Sequence, residues 1–314
     1  MAENRKAFLL GAGLGTRLRP LTENLPKPLV PVMNRPLLTY AMDHLREELG
    51  VEAFLVNTHH CPEAYGEAFP NGEYSGASLE FRHEPVLLDT AGGIDNIRDW
   101  LPSDESFTIY NGDILTDLPL RAAWRHHCES ENLVTLVLRS SGDELRVGFD
   151  ASSGLVVDLR GALKPDWEDR YQFTGIYFVA PSFLRYIRRG VIESVVLSFL
   201  AAIEAGEKIG GYVADEGEWS DLGERDSYLG ALRQLSSGAG KGGWERISPH
   251  ADIGEGVDID ETSSVGAGAK IGAGSRIRES AIWSGARIEP GSSLFRVVVR
   301  SGRTAQGDLS NLDI

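Results

Sequence analysis

The feature that most constrains this chain is a spacing of six near its C-terminal end. Ile247, Ile253, Ile259, Val265, Ile271 and Ile277 follow one another at six-residue steps without a break. The frame then slips by one residue and resumes at Ile288 and Leu294. A strand alternates every second residue and a helix repeats at about 3.6, so neither accounts for an unbroken six. A triangular coil does, if each of its three sides turns one aliphatic residue inward. Gly254, Gly266 and Gly272 directly follow three of the six positions. Residues 247–314 therefore predict a small left-handed parallel β-helix with few rungs of about 18 residues each.

The preceding residues follow a different rule. Across 6–235, segments of strand character alternate with segments of helix character. Residues 6–10, 53–57, 79–83 and 107–110 read as strands, and 36–49, 92–101, 119–129 and 195–205 as helices. In 36–49, Pro36 suits a first turn, Leu37, Ala41, Leu45 and Leu49 share one face, and Gly50 can end the helix. Such alternation predicts an α/β fold with a mixed, mainly parallel sheet covered on both faces. Residues 133–139, 145–149, 155–159 and 172–179 come as a run of strands and predict an extension of that sheet. The chain has 314 residues, and domains usually run to about 100–200. Three parts follow: a large domain at 1–235, a Gly/Ser-rich linker at 236–246, and the β-helix at 247–314.

Charge and apolar runs exclude some functions. The net charge is −15, so a nucleic-acid partner is not expected, because phosphate backbones demand clustered cations. The longest nearly apolar run, 195–203, is far short of the about 20 residues that cross a bilayer. The start of the chain is too short in apolar residues for a signal peptide. Cys61 and Cys128 are the only cysteines and have no metal-type spacing. The expectation is a reduced, cytoplasmic protein that binds no membrane.

One segment reverses the acidic trend. Residues 11–36 hold Arg17, Arg19, Lys27 and Arg35 against a single acid, Glu23. They open with Gly11-Ala-Gly-Leu-Gly-Thr-Arg-Leu-Arg-Pro-Leu-Thr, directly after the first predicted strand, and continue to Pro26-Lys-Pro. Glycines let a backbone turn tightly and bring its N–H groups up to phosphate oxygens. The dinucleotide fingerprint is absent, because Thr16 stands where its third glycine would be. The Gly-Lys-Ser/Thr ending of a P-loop is absent too. What remains is a focused anion site, with Arg17 and Lys27 at fixed offsets from the glycines.

The segment 11–21 with 26–28 resembles the signature of the sugar-1-phosphate nucleotidyltransferases, close to the mannose-1-phosphate guanylyltransferases. Thr90-Ala-Gly-Gly, Asn111-Gly-Asp, Phe173-Thr-Gly-Ile-Tyr and Trp219-Ser-Asp-Leu-Gly stand in the family's order. A hexad tail is common in the family as well. The resemblance implies a Rossmann-like nucleotide-diphospho-sugar transferase fold. It also implies a reaction in which a sugar 1-phosphate attacks the α-phosphorus of a nucleoside triphosphate and releases pyrophosphate. Arg17 and Lys27 are then the catalytic cations. Gly11, Ala12, Gly13, Gly15, Thr16, Arg17, Thr90 and Gly92 would bind the nucleotide. Gly148, Lys164, Thr174 and Gly175 would meet the sugar phosphate, Thr174 through its hydroxyl. Asp113 and Asp221 would hold Mg2+, a hard cation suited to carboxylate oxygens. Asp117 reads as a turn or cap residue and Trp219 as a packing residue. His59 and His60 read as loop or cap residues. Asp89 reads as a base contact or as the cap of the following helix.

Within that family several readings stay open. GTP with mannose 1-phosphate leads, and UTP with N-acetylmuramate 1-phosphate or glucose 1-phosphate is the alternative. Some relatives have lost catalysis and act as regulatory partners, but this chain keeps Arg17, Lys27, Asp113 and Asp221. Longer β-helices can carry acyl transfer. Here only His250, at the very start of the repeat, offers a histidine, so a role in homo-oligomer formation is favoured.

Overall fold

The computed structural model describes residues 6–237 and 245–314; residues 238–244 of the expected linker lie outside them. The chain forms two compact units that do not follow chain order. One holds 6–13 and 40–219, the other 14–39, 220–237 and 245–314. The boundary falls inside the glycine-rich segment, between Gly13 and Leu14.

The first unit is built on a ten-stranded sheet. Its strands are β1 (Lys6–Leu10), β2 (Ala53–Thr58), β3 (Glu73–Tyr74), β4 (Ala77–His83), β5 (Phe107–Asn111), β6 (Val134–Arg139), β7 (Leu145–Asp150), β8 (Leu155–Leu159), β9 (Arg170–Val179) and β10 (Ile209–Val213). They lie in the order β7-β8-β10-β6-β9-β5-β1-β2-β4-β3. β5, β1, β2 and β4 run parallel. β9 inserts antiparallel between β5 and β6. Ala7, Phe8 and Leu9 are wholly buried, as expected of a central strand covered on both faces. Phe107, Ile109, Leu136, Tyr177, Phe183 and Phe199 continue the same core. The run of strands expected at 133–179 does extend the sheet.

Two differences from the sequence expectation have clear causes. The helix expected at 92–101 spans Asp89–Asp95 instead. It starts early because the Asp89 carboxylate accepts the Thr90 N–H at 2.6 Å, which satisfies an end donor. β10 was not foreseen, because Gly210 and Gly211 weaken its strand character. A Cβ on Gly211 would stand 2.6 Å from the Phe149 ring. Only glycine lets β10 lie beside β6 with Phe149 packed on it.

The second unit contains the β-helix. Its short strands stack into three parallel sheets, one per side. Asp252 pairs with Lys270, Lys270 with Arg287, and Arg287 with Thr304. The rung is therefore eighteen residues at first and seventeen later. The missing residue lies at the corner after Ile277, where Glu279 takes a left-handed conformation, as do Arg296 and Asn311. That shortened corner is the slip in the hexad frame. Val265, Ile271, Ile277, Ile282, Ile288, Leu294 and Val299 fill the interior.

One side of the β-helix is covered. In Ser264–Val265, Ala281–Ile282 and Val298–Val299 both residues of each strand are buried, whereas an open face shows alternation. The helix Arg225–Ser237 lies against the coil. Tyr228 Oη accepts from Trp283 Nε1 at 3.0 Å. Arg225 donates to Asp313 at 2.8 Å, Arg233 to Glu279 at 2.5 Å, and Arg296 to Asp226 at 2.6 Å. A hairpin of Pro31–Val32 with Arg35–Pro36 turns through Met33 and Asn34, both at positive φ. Because Pro36 belongs to this hairpin, the helix expected from residue 36 starts at Leu38. Asn34 Nδ2 donates to the carbonyls of Glu245, Arg246 and Val265. Among the described residues no helix is long and apolar enough to cross a membrane.

Candidate active site

Strand order in the first unit reverses at β1, with β2 on one side and β5 on the other. Ligands of open α/β sheets bind beyond the carboxyl ends of the strands at such a switch. Leu10 pairs with Asn111 there, and the Gly112 N–H donates to the Leu10 carbonyl at 2.9 Å. Gly11 and Asp113 thus leave the sheet from neighbouring strand ends.

A buried relay, absent from the sequence expectation, holds this edge. Asn57 Oδ1 accepts from the N–H groups of Gly11 and Ala12, at 2.8 and 3.2 Å. Asn57 Nδ2 donates to Glu84 Oε1 at 2.7 Å, and Glu84 Oε2 accepts from the Leu88 N–H at 3.1 Å. Tyr65 donates to the Gly11 carbonyl at 3.2 Å, and burial pushes its phenol well above the usual range, so it stays a donor. Gly11 and Ala12 were expected to offer N–H groups to phosphate. The structure commits both to Asn57, so they shape the loop's path instead. A Cβ on Gly11 would lie 2.6 Å from Val56, which keeps that path tight. A polar residue near the end of an apolar strand was the signal for Asn57.

On the side expected to meet the base, Thr90 Oγ1 accepts from the Val195 N–H at 2.8 Å. Gly92 sits inside the helix, where a Cβ would meet the Val191 carbonyl at 2.9 Å. Asp89 is the first residue of that helix and accepts the Thr90 N–H, and His59, a loop residue, donates from Nδ1 to the Glu84 carbonyl at 2.7 Å.

On the expected sugar side, Gly175 takes φ +80°, and a Cβ there would lie 2.5 Å from Asn111 Nδ2. A residue with a side chain would not combine that conformation with that approach. Gly148 pairs with Asp158 across β7 and β8. Lys164 is exposed, with Nζ 5.1 Å from the Trp167 ring centre. Its turn is held by Asp158, which accepts from the N–H groups of Leu163, Lys164 and Gly161 and pairs with Arg170. Burial opposes charge on Asp158, but these donors outweigh it and leave its carboxyl below the usual range. One expectation needs correcting. The Thr174 hydroxyl is wholly buried and donates to the Val137 carbonyl at 2.8 Å. It serves the sheet and is not available to a sugar. Trp219 donates to the Thr174 carbonyl at 2.9 Å, an anchoring role. Asp117 accepts from the Glu218 N–H at 2.6 Å and so locks a turn rather than capping a helix.

The second unit gathers the expected cations. Gly15, at φ +57°, opens a one-turn helix, Thr16–Leu18. Its carbonyl accepts from Leu18 N at 3.1 Å and from the Thr22 hydroxyl at 2.6 Å. Gly13, in the first unit, has open space where a Cβ would be; Thr16 and Arg19 are exposed. Lys27 Nζ lies 3.1 Å from Asp221 Oδ1, and Arg17 Nη2 lies 3.7 Å from Asp221 Oδ2. Arg17 also reaches Glu224 at 3.8 Å. Lys27 is nearly buried while the Arg17 side chain is 63% exposed. Exposed ion pairs contribute about 0–1 kcal/mol, so Arg17 can leave its carboxylates cheaply for a polyphosphate. Arg17 and Lys27, ten residues apart, therefore form one charged group with Asp221 and Glu224, about 200 residues further along the chain. Asp113 belongs to the first unit and Asp221 to the second.

The donor chemistry suits a magnesium–phosphate complex. Among the described residues no three His, Cys, Asp or Glu side chains converge as a metal cage. Magnesium is usually held by about one or two protein carboxylates, with substrate phosphates and water supplying the rest. Asp113 and Asp221 are donors of that kind.

Comparison with known proteins bears on the family and the fold. The nucleotidyl transferase family model matches residues 6–238. The mannose-1-phosphate guanylyltransferase of Mycobacterium tuberculosis is 30% identical over 302 residues, covering 92% of this chain and 83% of that protein. The UTP–glucose-1-phosphate uridylyltransferase of a Synechocystis species is 27% identical, covering 94% and 87%. Among solved structures, the UDP-glucose pyrophosphorylase from Acinetobacter superposes with a TM-score of 0.64 at 18% identity. It covers 76% of this chain and 95% of the other, which shows a shared fold.

Proposed function

The chain belongs to the nucleotidyl transferase family as an enzyme of the sugar-phosphate type, and we propose that its substrates are GTP and mannose 1-phosphate. The observation that carries the reaction is the meeting of Arg17 and Lys27 at Asp221. The likeness to the mycobacterial guanylyltransferase along most of both chains supports the choice of substrates. In this reading the sugar phosphate oxygen attacks the α-phosphorus and pyrophosphate departs from the opposite side. Two anions must approach, so the protein's work is positioning and charge neutralisation. Arg17 takes the charge that grows on the departing pyrophosphate. Lys27, held in place by burial, meets the α-phosphate or the sugar phosphate. Asp113 and Asp221 would hold magnesium, which when bound neutralises phosphate charge.

A UTP-dependent reaction with glucose 1-phosphate or N-acetylmuramate 1-phosphate is the second reading; the Synechocystis relative supports its glucose 1-phosphate form. The test is pyrophosphate release from the four ribonucleoside triphosphates against the three sugar phosphates. GTP with mannose 1-phosphate should give the highest kcat/KM, by about tenfold or more, the discrimination that about 1.4 kcal/mol supplies. Preference for UTP would replace the substrates, and no release from any pair would reject the reaction. Oligomer formation through the β-helix is also part of the proposal. It is supported by Phe295 and Ile253, both exposed on that element. A solution mass equal to the 34.2 kDa of one chain by light scattering would reject it.

A further inference from the structure

The segment that bears Arg17 and Lys27 packs in one unit with the β-helix. The hydrogen bonds within that unit give the β-helix a task beyond assembly. Arg300 follows the strand Val298–Val299. Its Nη1 donates to the Pro20 carbonyl at 2.8 Å and to Glu23 Oε2 at 2.8 Å. Its Nε donates to the Ile314 carbonyl at 3.1 Å, and its side chain is only 15% exposed. A planar guanidinium held at both ends is a stiff strut.

Residues 15–23 form a knot of short-range bonds. Leu18 N donates to Gly15 O, Leu21 N to Leu18 O and Glu23 N to Pro20 O. The Thr22 hydroxyl returns to Gly15 O at 2.6 Å. Leu18, Leu21 and Thr22 are buried, whereas the Arg17 side chain stands out from the knot. The Arg17 guanidinium is tied by long ion pairs to Asp221 and Glu224, so the turn that carries it shares in setting its position. Arg300 grips the far end of that turn.

We propose that Arg300 is a positioning residue for catalysis: from the β-helix it pins the turn 15–23 and thereby aims Arg17 at the triphosphate. The aiming part rests on the nucleotidyltransferase reading above; the pinning part does not. Loss of the pin leaves substrate contacts in place but spreads the orientations of Arg17. Misplacement of a catalytic group costs rate even when binding survives.

The test compares Arg300→Ala, Arg300→Lys and a control, Arg278→Ala, in the full chain. Arg278 makes a matching set of bonds, to the Asp258 carbonyl and carboxylate, wholly inside the β-helix. Two readouts are taken. The first is amide hydrogen exchange at Leu18, Leu21 and Glu23, which does not depend on any substrate. Exchange should accelerate at least about tenfold in Arg300→Ala and stay unchanged in Arg278→Ala. Unchanged exchange in Arg300→Ala overturns the pin, whatever the enzyme's activity. The second readout is steady-state kinetics. Arg300→Ala should lower kcat about tenfold or more with a smaller change in KM for the triphosphate. Arg300→Lys should recover part of the loss, and Arg278→Ala should retain wild-type kcat. Accelerated exchange with wild-type kcat would overturn the aiming, as would equal losses of kcat in Arg300→Ala and Arg278→Ala. Wild-type protein that releases no pyrophosphate from any substrate pair fails the nucleotidyltransferase reading instead, and the exchange result stands apart from it.

Discussion

Arg17→Ala should lower kcat for pyrophosphate release by about 10²–10³-fold, the usual cost of removing one donor aimed at developing charge. The melting temperature should hardly change. Both expectations follow from the same geometry. The Arg17 side chain is 63% exposed and its ion pairs, at 3.7 and 3.8 Å, are long. Such contacts stabilise a fold by about 0–1 kcal/mol, so the residue costs little to remove from the resting protein. Charge on a departing pyrophosphate is another matter, because it grows only as the reaction proceeds. Binding that strengthens along the reaction raises kcat, whereas equal binding throughout alters KM alone. Arg17→Lys keeps the charge but loses the forked geometry and should fall between the two. Kinetics and a melting curve on the same samples check this. A kcat within about threefold of wild type, well short of the factor expected for a lost donor, would remove Arg17 from the reaction.

The second large effect is expected from the carboxylates. Asp221→Asn and Asp113→Asn should each lower kcat by about 10²-fold or more and raise the magnesium concentration needed for half-maximal rate. Asp221 has a competing explanation in the structure. It lies 3.1 Å from the nearly buried Lys27 ammonium and could act only as its counter-ion. The two roles separate in a double-mutant cycle with Lys27→Met. A counter-ion alone gives a double variant no slower than the worse single one, with unaltered magnesium demand. If Asp221 holds the metal, Asp221→Asn raises that demand whether or not Lys27 is present. Asp113, which belongs to the other unit, serves as the comparison. Unaltered magnesium dependence in both Asn variants would reject them as the metal's ligands.

Local patterns carried much of this protein openly. The hexad placed the β-helix, because one inward residue per side is a rule that repeats along the chain. Even its slip had a local cause, the shortened left-handed corner at Glu279. Alternating strand and helix character placed the sheet, and the expected strand extension formed. Where local character misled, packing overruled it. Gly210 and Gly211 have little strand character, yet both lie in β10, since neighbours leave no space for side chains. Pro36 suits a helix start, yet the hairpin beside it took the residue first.

The amino-acid sequence by itself determined the class of chain, the glycine-rich turn and the identity of the cations on it, because spacing and residue type are written locally. Only the tertiary structure decided what those groups touch. It spent the N–H groups of Gly11 and Ala12 on Asn57 and the Thr174 hydroxyl on the sheet. It brought Lys27 to Asp221, and Arg300 to Pro20 across 280 residues of chain. A contact between residues so distant leaves no periodic trace, since it arises from how elements stack and not from the order in which they are written.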